Sequence, residues 1–110
     1  MDKIHIIRNE GLEKVLIAVP NSHKHLRICL KLRDGTTLLF QEATIANISR
    51  AYITLKTHPN IKAQELKMEA LTEEQRKEGY ATHQLIETSR DTVEVEAELA
   101  EILEKGQILT

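Results

Sequence analysis

Tryptophan is absent from the 110-residue chain, and the aromatics number only three: Phe40, Tyr52 and Tyr80. The core must therefore be aliphatic, and any pocket will lack aromatic walls. A single cysteine, Cys29, rules out an internal disulfide and suits a reducing compartment, so a cytoplasmic location is expected. The longest unbroken apolar run is Val15 to Val19, far short of the roughly 20 residues of a membrane-spanning helix. No membrane partner is expected. The opening MDKIHIIRNEG has no extended apolar region and no small-residue cleavage site, so it is not read as a secretory signal. Glycines are few and isolated, at Gly11, Gly35, Gly79 and Gly106, which excludes a phosphate-cradling loop.

What is present is ordinary for a globular protein: 41% apolar and 29% charged residues. The length fits one α+β domain over residues 1–110, with a real core and no need of metal or disulfide staples. The net charge of −2 hides an asymmetry. Through Lys62 there are ten bases against five acids, a net of +5; from Ala63 onward five bases face twelve acids, a net of −7. Such a charge dipole can steer association with a charged partner, or let one half lie on the other within a molecule or across a dimer.

The organising stretch is Leu26 to Glu42, LRICLKLRDGTTLLFQE. Two alternating runs flank Arg33-Asp34-Gly35, a three-residue loop suited to a type I turn with glycine at the bulge position. That loop sets Leu32 against Thr36, Leu30 against Leu38 and Ile28 against Phe40, gathering the apolar side chains on one face. The other face then carries Arg27, Cys29 and Lys31 opposite Thr37, Leu39 and Gln41.

Lys3 to Arg8 reads as a first strand, with a turn at Asn9-Glu10-Gly11. Glu13 to Val19 reads as a strand buried on both faces and hence central. With the hairpin these make a four-stranded antiparallel meander. In 44–57 a helical stripe of Ile45, Ile48, Tyr52 and Leu55 competes with the β-rich end YITLKT, and helix is preferred; Pro59 closes the element. Ala63 to Glu78 has the propensity of one long helix, but Leu66, Met68 and Ala70 alternate with charged residues, and an edge strand from Gln64 to Leu71 is preferred. Thr72-Glu73-Glu74-Gln75 has the form of a capping box and predicts a short helix ending at Gly79, followed by a strand from Tyr80 to Glu87. The last element is a helix over 92–105, capped by Asp91 with Glu94 completing the box and Gly106 as the stop. Val95, Leu99, Ile102 and Leu103 form its apolar seam. Gln107 to Thr110 is an apolar tail that would gain from cover. The architecture expected is a mainly antiparallel sheet packed on one face by helices.

No chemistry dominates. His23 and His25 could offer two imidazoles, but no Cys pair and no His-Glu-x-x-His pattern joins them, so neither metal nor cofactor is expected. Cys29 between Arg27 and Lys31 has cations that favour a thiolate, which makes it the best nucleophile of a small enzyme, although no base accompanies it in a local signature. Lys24, Arg27, Lys31 and Arg33 form a basic row that could follow phosphates, but without stacking aromatics. The leading expectation is a non-enzymatic interaction module that self-associates as a homodimer, the 95, 99, 102, 103 seam being its candidate contact. A nucleic-acid-binding protein using the basic hairpin face is the alternative, and an enzyme built on Cys29 comes third.

Overall fold

A computed structural model describes residues 3–110 of the chain. The chain is α+β, and its elements run in the order β1 (His5–Ile6), a 3-10 turn (Asn9–Gly11), β2 (Leu12–Ala18), β3 (Arg27–Leu32), β4 (Thr37–Gln41), α1 (Glu42–Thr57), β5 (Leu66–Ala70), β6 (His83–Glu87), α2 (Thr92–Lys105) and β7 (Gln107–Ile108). It divides into two compact units, one made of the segment ending at Gln41 together with Ala97–Thr110, the other of Glu42–Glu96.

The first unit is built on the hairpin. Leu30 pairs with Leu38 and Ile28 with Phe40. The Leu32 amide donates to the Thr36 carbonyl at 2.9 Å and the Gly35 amide to the Leu32 carbonyl at 3.1 Å. Gly35 has φ +95°, the left-handed region the three-residue loop requires, and Asp34 Oδ1 accepts from the Thr36 amide at 2.9 Å. The apolar face carries the core: Leu32 is 1% exposed and Ile28 6%.

The meander has three strands, ordered β2-β3-β4. This corrects the expectation that the Glu13 to Val19 run is central. β3 holds that place, and β2 is an edge with Val15, Leu16 and Ile17 exposed by 51%, 50% and 61%. Apolar residues on both faces do not by themselves make a strand central: β3 is central with Arg27 and Lys31 on one face because it has a strand on each side, and β2 has a single neighbour. A bulge at Glu13 separates the pair Leu12 with Leu32 from the pair Lys14 with Lys31.

The strand expected at Lys3 to Arg8 also leaves the meander. β1 pairs in parallel with β7, His5 with Gln107 and Ile6 with Ile108. The Gln107 amide donates to Ile4 O at 3.1 Å, Leu109 to Ile6 O at 2.8 Å and Arg8 to Thr110 O at 3.1 Å, so the backbone of the tail is paired as a strand while Ile108 and Leu109 stay exposed. Sequence neighbours usually pair, but the 3-10 turn at Asn9–Gly11 separates β1 from β2, and the backbone groups of Ile4, Ile6 and Arg8 are taken up by the tail instead.

In the second unit β5 and β6 are antiparallel, Met68 opposite Leu85, and α1 lies against β6. The contested segment is helix, as preferred, but its half-buried side runs through Thr44, Asn47, Ala51, Thr54 and Leu55, leaving Ile48 and Tyr52 of the expected stripe exposed. The short helix expected after Thr72 does not form. Both capping bonds are present, Gln75 N to Thr72 Oγ1 at 3.3 Å and Thr72 N to Gln75 Oε1 at 3.0 Å, yet the chain makes only turns up to Gly79, φ +82°. One capped turn cannot repay nucleation when Glu73, Glu74, Lys77 and Glu78 offer nothing to bury. α2 starts as expected, the Val93 amide donating to Asp91 Oδ1 at 2.8 Å, but Glu94 pairs with Arg90 at 3.6 Å rather than closing a capping box. Among the described residues no helix is long and apolar enough to cross a membrane.

Candidate functional site

The face of the meander opposite its core is set by register alone. Residues opposed across neighbouring strands share a face, so three rows result: Lys14-Lys31-Thr37, Leu16-Cys29-Leu39 and Ala18-Arg27-Gln41. Cations stand in the rows on either side of an apolar one, whose Leu16 and Leu39 are largely open to solvent. Lys14 joins this face from outside the expected basic row, because a strand buried on both faces gives its charge no surface to join. The bulge at Glu13 brings it beside Lys31.

Of the expected basic row, Arg27 and Lys31 lie on this face, and the Arg27 guanidinium donates to the Leu26 carbonyl at 3.2 Å. Lys24 is exposed in the turn before β3. Arg33 is used differently. Its Nε donates to the Glu10 carbonyl at 2.6 Å and its amide to the Gly11 carbonyl at 2.9 Å, so it braces the hairpin loop against the 3-10 turn. Cys29 is half-buried between Leu16 and Leu39, with Arg27 and Lys31 two residues away along its own strand. Its cross-strand neighbours bring no group able to take its proton.

The helical seam is open. Leu99 is 56% exposed, Ile102 39% and Leu103 57%, with Val95 half-buried. Glu96 and Glu98 border this stripe on the helix surface, and Glu101 is held by Lys105 one turn later at 2.8 Å, an ion pair that keeps its carboxyl below the usual range.

The most connected polar group lies in the second unit, among residues 23 to 25 positions apart that no local pattern could join. Arg90 Nη1 donates to Glu65 Oε2 at 2.8 Å, Thr88 Oγ1 donates to Glu65 Oε1 at 2.9 Å, and the Arg90 amide donates to Thr88 Oγ1 at 3.3 Å. The Arg90 guanidinium, and after it the Thr88 hydroxyl, hold the Glu65 carboxyl below its ordinary range. Every member is satisfied by another, so the group ties the entry of β5 to the exit of β6 and the start of α2.

The histidines do not assemble. His58 Nδ1 is 3.1 Å from both Thr57 Oγ1 and the Thr54 carbonyl, and His83 Nδ1 is 2.9 Å from Thr82 Oγ1. Among the described residues no three His, Cys, Asp or Glu side chains are grouped to hold a metal ion.

Fold and site thus define a small α+β protein whose distinctive surfaces are a cationic sheet face, an apolar strand edge and an open acidic helix. No protein family, no curated protein and no solved structure matches it.

Proposed function

We propose that the chain is a non-enzymatic module that works by self-association, as a homodimer in the cytoplasm. The observation that carries the reading is the apolar surface left uncovered on regular elements: Val15, Leu16 and Ile17 on β2, and Leu99, Ile102 and Leu103 on α2. Apolar side chains left open on ordered elements in this way mark an interaction surface. The opposed charges of the two halves of the sequence favour ordered rather than indiscriminate contact. Size-exclusion chromatography with light scattering tests the reading. A dimer mass at tens of micromolar that falls on dilution is expected; a monomer mass at every concentration and salt overturns it.

One observation favours a second reading, nucleic-acid binding: the register brings Lys14 beside Lys31, with Arg27 on the same face. Three cations on one sheet face suit the phosphates of a single strand. This reading predicts retention of DNA or RNA at low salt, lost on combined Lys14→Glu, Arg27→Glu and Lys31→Glu substitution. Failure of the unaltered protein to bind either polymer removes it.

A further inference from the structure

We infer that the dimer forms through the outer edge of β2, paired antiparallel with β2 of a second copy about a two-fold axis at Leu16, so that two three-stranded sheets become one of six strands. The inference rests on the self-association reading and names its surface. β2 has seven residues and one neighbour, and among the described residues no backbone group from Glu13 to Ala18 bonds anywhere but to β3. A long unprotected edge of this kind is a template for another strand. Its guards sit at the ends, Glu13 and Lys14 with the bulge at one and Pro20 beyond the other, which leaves Val15 to Val19 free of charge, bulge and proline. The opposite edge, β4, is shorter at five residues, and its core-side Leu38 and Phe40 are already half-buried.

Face and charge select the register. A two-fold axis perpendicular to the sheet keeps each face on its own side, so odd residues meet odd and even meet even. With the axis at Leu16, Val15 opposes Ile17 of the second copy, Lys14 opposes Ala18, and Leu16 meets its twin. Within one chain Val15 is the neighbour of Leu30, which pairs with Leu38, and Ile17 is the neighbour of Ile28, which pairs with Phe40. The core face then carries an unbroken row: Leu38, Leu30 and Val15 of one copy, followed by Ile17, Ile28 and Phe40 of the other. The two-fold axis repeats it. The two lysines stay apart, while moving the axis to Val15 would set Glu13 against Ile17, a charge among apolar side chains.

The contact is small. With the axis at Leu16 the residues of β2 that find a partner within β2 are Lys14 to Ala18, and five residues at about 3.4 Å each give a strip about 17 Å long and one sheet thickness, about 10 Å, deep. This is far below the roughly 1,200 Å² of a standard interface, which puts the pair in the weak, exchanging class.

The test uses the full chain carrying Cys29→Ser, because Cys29 faces Leu16 from β3 and would capture a thiol placed there. In that background Leu16→Cys should form an intermolecular disulfide under mild oxidation at least tenfold faster than Leu39→Cys, an exposed β4 control on the same face. A directly opposed pair about 4.5 to 5.5 Å apart between Cα atoms is within disulfide reach. Equal rates overturn the proposal. In dilution series followed by light scattering, Ile17→Lys should weaken the dimer at least tenfold with an unchanged circular dichroism spectrum, and Leu99→Glu with Leu103→Glu should leave it intact. If the helix variant dissociates the dimer and Ile17→Lys does not, the edge is wrong while self-association stands. A wild-type chain that is always monomeric removes both.

Discussion

Gly106 lies against Ile6 so closely that a methyl group added to it would come within 2.8 Å of the Ile6 Cγ1 and Cδ1 atoms, and within 2.9 Å of Ile4 Cγ2. The glycine that reads in the sequence as a helix stop is needed for a different reason: it lets β7 approach β1. Gly106→Ala should therefore destabilise by about 1–3 kcal/mol through overpacking, although alanine is the better helix former. Urea unfolding of the variant measures it; a gain in stability would show that the approach is not tight.

The two faces of the hairpin should respond oppositely to truncation. Leu32 is the most deeply buried side chain, and Leu32→Ala should cost about 2–5 kcal/mol. Leu39, seven residues away on the open face, should change stability by no more than about 0.5 kcal/mol on Leu39→Ala. Comparable losses at the two positions, in the same denaturant titration, would contradict the assignment of faces.

Acid should weaken the second unit through Glu65. Its carboxyl is held below the ordinary value of 4.5 by Arg90 and then Thr88, so the folded state binds this proton less readily than the unfolded one. The associated stability is fully present above that ordinary value and is lost as the pH falls through the lowered one. Asp34 and Glu101 are shifted in the same direction, so the test is a difference: melting temperature against pH should fall less steeply below pH about 4.5 in Glu65→Gln than in the unaltered protein. Parallel curves would mean that the Arg90 pair does not discriminate between folded and unfolded states.

Asp91 caps α2 through the Val93 amide. Asp91→Ala should lower stability by about 1 kcal/mol, while Asp91→Asn or Asp91→Ser should recover most of it, since either supplies an oxygen to the same amide. Because Glu94 is engaged with Arg90, Glu94→Ala should cost less than removal of the cap; thermal melts of the set rank the two contributions.

Local chemistry decided the parts of this protein that depend only on neighbours in the chain. The turn at Arg33-Asp34-Gly35 sets strand register within a few residues, so the pairs Leu30 with Leu38 and Ile28 with Phe40 could be read in advance, as could the 92–105 helix from its cap and stripe. Tertiary structure decided everything that needs a second partner. Whether β2 lies at the centre or the edge depends on how many strands flank it, and its own residues do not carry that number. β1 pairs with β7 across a hundred residues, and Glu65, Thr88 and Arg90 meet through the β5-β6 pairing, where no periodicity reaches. The basic face shows both contributions: Arg27 and Lys31 follow from alternation along one strand, and Lys14 joins them only because a bulge at Glu13 sets the register of another.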